Sequence, residues 1–114
     1  MKIKSLIVLL AICLSACTGS KYAGVPNQYQ ELISQTMQTA GSNAKELKKA
    51  LKQAPTTQRE AMAFLIAYMP ERDAKALTAN FLLENVDYAY KARAEFPWAK
   101  EVPNDIFLND VVAY

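Results

Sequence analysis

Cys13 and Cys17 are the only thiols in this 114-residue chain, and no histidine accompanies them. A thiolate or a serine hydroxyl becomes a useful nucleophile when a neighbouring base takes its proton, and near neutral pH that base is usually histidine. Neither a Cys/His nor a Ser/His/Asp arrangement can be assembled from these residues alone. Zinc held by its usual Cys and His ligands is excluded on the same ground, so no metal is expected. Glu84 and Asp87 are three residues apart and could be read as an acid/base pair. With no second element of a site beside them, they are more simply polar groups on the face of a helix. The three glycines, Gly19, Gly24 and Gly41, are isolated from one another, so no phosphate-cradling loop and no nucleotide cofactor are expected.

The clearest chemistry lies near the start of the chain. Lys2 and Lys4 form a positive segment, Leu6 to Leu14 an apolar one, and Ser15-Ala16 a small-residue approach to a cleavage point, which is the layout of a secretory signal. The apolar stretch falls short of the roughly 20 residues that a bilayer span requires. Leu14-Ser15-Ala16-Cys17 resembles the bacterial lipobox, in which the cysteine is acylated before the leader is removed. Residues 1–16 are therefore expected to be a lipoprotein signal peptide, with Leu14, Ser15 and Ala16 as the peptidase recognition residues. Cys17 is the lipidation site and carries fatty acyl chains such as palmitate. Two such chains already suffice for lasting attachment. Thr18, where some Gram-negative sorting signals have Asp, favours the outer over the inner membrane. Residues 17–26 read as the lipidated cysteine and a tether, since Gly19, Ser20, Gly24 and Pro26 interrupt any periodicity.

Charge narrows the partner classes. The thirteen basic residues fall to eleven once Lys2 and Lys4 leave with the leader, against eleven acidic ones. A balanced chain supplies little of the phosphate-directed attraction on which nucleic-acid binding draws, so that role is not expected.

From Asn27 the pattern becomes helical. Tyr29, Leu32, Ile33, Thr36, Met37 and Ala40 recur at three- and four-residue spacing, and Gly41 suits the stop. Ser42 or Asn43 is expected to cap a second helix in which Ala44, Leu47, Leu51 and Ala54 form one stripe. Lys45, Lys48, Lys49 and Lys52 occupy the rest of its surface, as a solvated face partly offset by Glu46. Thr57 and Glu60 have capping-box spacing ahead of Ala61 to Met69, which is apolar on every side and so central. Phe64, Leu65, Ile66 and Tyr68 are expected to fill the core. Asp73 is expected to cap a long fourth helix through about Phe96, bearing Leu77, Phe81, Leu82, Val86, Ala89 and Tyr90 towards its neighbours and pairing Asp87 with Lys91. Pro97 stops it, and Pro103 suits the first turn of a last helix carrying Ile106, Phe107, Val111 and Val112. No alternating strand pattern competes. The expected fold is all-α, a small bundle of about five helices spanning 27–114.

Trp98, in the link between Pro97 and Ala99, can act either as an exposed anchor for a protein or glycan or as a plug closing a thin core. The plug is the simpler reading in so small a bundle. With Ile106 and Phe107, Trp98 makes up the candidate interaction residues.

A wider pattern joins these pieces: Ala40-Gly41, Glu46-Leu47, Ala50-Leu51, Pro55, Gln58-Arg59-Glu60, Met62 through Ala67, Met69-Pro70-Glu71-Arg72-Asp73, Phe81 through Val86, Pro97-Trp98 and Ile106 through Val112. Together they resemble the N-terminal helical region of secreted bacterial transglutaminase-like lipoproteins. The resemblance implies a helical front part that precedes a papain-like core with a Cys/His/Asp triad. That triad maps onto no position here, and Cys17 corresponds to the lipidated cysteine rather than the nucleophile. The chain is thus expected to be non-enzymatic alone, a lipid-anchored accessory module in the cell envelope. Its expected partners are the membrane and a downstream transglutaminase-like domain. The other reading is a complete small lipoprotein that binds an envelope protein or glycan through an aromatic patch near Trp98.

Overall fold

The computed structural model describes residues 21–112, so the leader, the lipobox residues and Cys17 lie outside the described part. Helix α1 spans Asn27–Ala40 and starts directly after Pro26, whose fixed φ suits the entry to a helix. It buries Tyr29, Ile33, Thr36, Met37 and Ala40, the expected stripe. Thr36 is the one polar residue in the core, and its hydroxyl donates to the Leu32 carbonyl one turn back at 3.1 Å. Gly41 ends the helix with φ +58° and ψ −120°, a backbone state open mainly to glycine.

A short 3-10 turn, Gly41–Asn43, leads into α2, Ala44–Gln53. Leu47, Ala50 and Leu51 are its buried side, and Lys45, Lys48, Lys49 and Lys52 are exposed. A second 3-10 turn, Thr56–Gln58, precedes α3, Arg59–Ala67. Ala61, Met62, Ala63, Leu65, Ile66 and Ala67 are all buried there, which makes α3 the central helix that its all-round apolarity called for. Helix α4 is one turn, Glu71–Ala74, and α5 runs from Ala79 to Glu95. After the 3-10 segment Pro97–Glu101 comes a last helical segment, α6, Asn104–Ile106, which widens into a π-type coil over Phe107–Val112.

The architecture is a small all-α bundle, with no strand among the described residues. Helix α1 packs on α3 and α4, α2 packs on α5, and the π-type coil closes against α3 and α5. Ile33, Leu47, Met62, Ile66, Leu82, Val86, Phe107 and Val112 are the large side chains fully withdrawn from solvent. Each contributes about 1.5–3 kcal/mol by leaving water. The alanines between them, among them Ala50, Ala61, Ala63, Ala74 and Ala79, are also buried, and small residues at these contacts let the helix axes approach closely.

Several expected details are corrected. Neither Ser42 nor Asn43 caps α2 through its side chain. The Asn43 amide instead donates to the carbonyls of Ala74 and Leu77, both at 2.9 Å. Thr57 and Glu60 form no capping box, because Thr57 lies within the 3-10 turn and the Glu60 carboxylate accepts from Asn104 Nδ2 at 2.9 Å. Asp73 does not cap a long fourth helix. The chain breaks after Ala74, and Thr78 is the cap of α5, its hydroxyl accepting from the Phe81 N–H at 3.1 Å. The turn before α2 and α2 itself hold the two sides of the break: Asn43 captures the carbonyls of Ala74 and Leu77, and Glu46 accepts the Ala79 N–H at 3.0 Å. Glu46 therefore faces α5 as well as ending the first turn of α2. Tyr68, expected in the core, is largely exposed, and Phe81, expected to face neighbouring helices, is 44% exposed. Asp87 and Lys91 do pair, at 2.8 Å.

The stretch read as a tether is bonded to the bundle from Tyr22 onward. Gln30 on α1 accepts the Tyr22 N–H and donates to the carbonyls of Tyr22 and Val25, each at 3.0 Å, and Val25 is buried. Gly24 adopts φ +75°, and a Cβ there would stand 2.8 Å from both Cδ and Nη1 of Arg59. Glycine is needed at that position for space as well as for backbone angle.

Candidate functional site

Pro97 cannot continue a helix, so α5 ends at Glu95 and the chain turns sharply through Phe96-Pro97-Trp98. The turn throws two aromatic rings outward. Phe96 and Trp98 stack with centroids 6.0 Å apart and planes 25° from parallel, and Trp98 remains 67% exposed. The exposed-anchor reading of Trp98 is the one that this geometry matches, and the plug reading is set aside.

The rings border a crevice of about 140 Å³ lined by Ala92, Arg93, Phe96, Trp98, Ala99, Val102, Phe107 and Val111. Its floor is held by polar bonds that do not depend on apolar matching. Arg93 donates to the Val102 carbonyl at 2.9 Å and lays its guanidinium 4.3 Å from the centre of the Phe107 ring. Tyr90 meets the same ring edge-on at 5.0 Å. Burial and then the Glu60 carboxylate push the Tyr90 hydroxyl above the ordinary phenol range, with Arg93 opposing them. Asn85 donates to the Val112 carbonyl at 2.9 Å and fixes the π-type coil against α5.

Of the three candidate interaction residues, Trp98 and Phe107 meet at this crevice, Trp98 as an exposed rim and Phe107 as a buried floor. Ile106 is exposed at 45% but is not part of the lining. Phe96, Arg93 and Val111 were missed. The signal for Phe96 was present in the Phe-Pro-Trp order, since a proline that ends a helix directs the rings on either side of it away from the helix stripe. No local pattern announces Arg93, whose role comes from a coil nine residues downstream.

A second aromatic group lies on α1 and α3. Phe64 and Tyr68 are 5.0 Å apart, with Tyr29 edge-on to both at 6.1 and 6.4 Å. It is continuous with the core through Tyr29.

Groups of acidic, cysteine or histidine side chains able to hold a metal ion are absent among the described residues. The described helices include none long and apolar enough to cross a membrane. Leu14, Ser15, Ala16 and Cys17 fall outside the described residues, so the geometry neither adds to nor alters their reading. Comparison with protein-family models, with curated proteins and with solved structures yields no match for this chain.

Proposed function

We propose that the chain is the lipid-anchored helical module of a transglutaminase-like protein of the bacterial envelope, held in the outer membrane through Cys17 and acting by contact rather than by catalysis. One observation supports this reading above the others: segments that carry the family resemblance, far apart in sequence, meet at one place. Trp98 and, from the closing coil, Phe107 and Val111 share the lining of the aromatic crevice, and Asn85 on α5 bonds the end of that coil at Val112. The arrangement gives a following domain a fixed point of departure and an apolar seat.

The test is the reading frame beyond Tyr114 together with the fate of Cys17. A downstream segment with Cys, His and Asp in papain-like order supports the proposal, and a stop codon at that point overturns it. Metabolic labelling with a palmitate analogue should mark the wild-type chain and leave a Cys17→Ala variant unlabelled and unprocessed.

The exposed stacked pair Phe96 and Trp98 favours a second reading, a complete small lipoprotein that seats an apolar segment of another envelope protein or a glycan there. Photo-crosslinking from position 98 in cells separates the two, because a separate polypeptide or glycan is captured only in the second case.

A further inference from the structure

The lysines of α2 form a more one-sided charge than the sequence suggests. Lys45, Lys48, Lys49 and Lys52 are all exposed, whereas Glu46, the acid that would offset them, is committed to the Ala79 N–H on the α5 side. Beside Lys48 and Lys52 lies an open cleft of about 490 Å³ lined by Lys21, Tyr22, Ala23, Lys48, Leu51, Lys52 and Arg59. Four of these residues are cationic, and none of the described lining residues is acidic.

The cleft is built rather than incidental. Its outer wall is the arm from Lys21 to Val25, held by Gln30 and turned by Gly24 over Arg59. Its inner wall includes Arg59, whose guanidinium donates to the carbonyls of Leu51, Lys52 and Ala54 and is thereby fixed in place. Leu51 and the Tyr22 ring supply an apolar floor, with the Lys21 ammonium 5.8 Å from the centre of that ring.

Position in the chain selects the occupant. Lys21 is four positions from Cys17, a reach of at most about 13 Å at roughly 3.3 Å per residue. An acylated Cys17 would therefore keep the cleft within about one or two Debye lengths of the head-group layer. A polybasic surface beside an acyl anchor attracts anionic lipid, at about fivefold in binding for each lysine near the surface. We infer that the Lys21, Lys48, Lys52 and Arg59 cleft docks the phosphate head groups of anionic phospholipids in the leaflet that holds the Cys17 acyl chains, laying the module on the membrane with α2 facing it. The inference rests on the anchoring of Cys17 proposed above.

The experiment places the mature lipidated protein in vesicles of phosphatidylcholine alone and in vesicles containing about 30% phosphatidylglycerol, a surface charge within the anionic range of cell membranes. Flotation with the neutral vesicles checks the anchor separately, since an unacylated chain would not float with them. Lysine acylation read by mass spectrometry then checks the cleft. Expected is at least about fivefold protection of Lys21, Lys48 and Lys52 in the anionic vesicles relative to the neutral ones, with Lys100 unchanged. The protection should vanish at about 0.5 M salt, where screening is nearly complete at these distances. In a K48Q/K52Q variant, whose exposed positions leave the core untouched, Lys21 should lose its protection. Equal labelling in both vesicle types, in a protein that floats with each, overturns the inference. So does equal protection by inorganic phosphate with neutral vesicles, which would make the cleft a site for a free anion.

Discussion

Asn85 Nδ2 donates to the Val112 carbonyl at 2.9 Å, joining the middle of α5 to a residue 27 positions further on. Val112 is fully buried, so its carbonyl has little access to replacement water. An Asn85→Ala variant should lose about 1–3 kcal/mol of stability, the usual cost of an unsatisfied buried polar group. Urea denaturation gives the total. Hydrogen exchange should locate the first opening in residues 104–112, and uniform loss of protection across the bundle would contradict this account.

Gly24 and Gly41 both have positive φ, but only Gly24 faces a neighbour. Alanine at Gly41 meets open space and carries the backbone cost alone, about 1–3 kcal/mol for a sparsely populated region. Alanine at Gly24 adds a clash with Arg59, relieved by releasing the arm rather than by opening the core. Limited proteolysis should accordingly cut the Gly24→Ala variant near residues 21–25 while its thermal midpoint moves less than that of Gly41→Ala. Equal midpoint shifts with no new cleavage would count against the clasped arm.

Thr78 and Glu46 both serve the N-terminus of α5. Thr78→Ala should cost about 1 kcal/mol as the loss of an N-cap. Because the two groups satisfy N–H donors two residues apart in the same first turn, the Glu46→Gln and Thr78→Ala effects should couple, with a double mutant that departs from the sum of the singles by about 0.5 kcal/mol or more. Strict additivity would show that the two bonds act independently.

Asp87 is held below the ordinary carboxylate range by its bond to Lys91 and then by the Gln58 amide, and Lys91 is raised in turn by Asp87. For Asp87 the stabilisation is present above its unfolded pKa and is lost as pH falls through the depressed folded value. For Lys91 it is present below the unfolded pKa and is lost as pH rises through the raised folded value. Both groups are solvent-facing, so the benefit is small and screened by salt. In an NMR titration, Lys91→Met should move the Asp87 midpoint upward but not all the way to that of a free carboxylate, since Gln58 still donates to it. No movement would remove the pair from the account.

Trp98 is the chain's one tryptophan, which makes it a reporter of its own exposure. Its emission should lie near that of indole in water and be readily quenched by acrylamide. Trp98→Ala should cost no more than about 0.5–1.5 kcal/mol, the loss of its stack on Phe96. A blue-shifted emission with a large loss of stability would restore the plug.

The helix stripes were legible because burial repeats with the helical period: Ile33, Leu47, Ile66, Leu82 and Val86 are each where periodicity puts them. Proline and glycine punctuation at Pro26, Gly41 and Pro97 was equally local, and so equally readable. What escaped was every feature whose partner is distant. Asn43 looks like a cap until Ala74 and Leu77, 31 and 34 residues away, take its amide. Glu60 looks like a capping-box acid until Asn104 arrives from 44 residues downstream. In the candidate site, Trp98 and Phe107 could be picked by type, but Arg93 gains its role only once the π-type coil lies against α5. The cleft was out of reach for the same reason, since the arm that walls it reads locally as a tether.

The bend between α4 and α5 has a consequence for the order of events in folding. In the unfolded chain nothing brings α2 near, and the residues from Asp73 to Phe96 have the pattern of one uninterrupted helix. A nascent helix running on through Ala76 and Leu77 would not be the native one, and a chain that had formed it would have to unwind there as Asn43 and Glu46 arrive. If docking of α2 and breaking of that helix are one step, the transition state carries both. Substitutions at Asn43 would then slow folding more than they speed unfolding, although Asn43 belongs to a three-residue turn at the edge of the bundle.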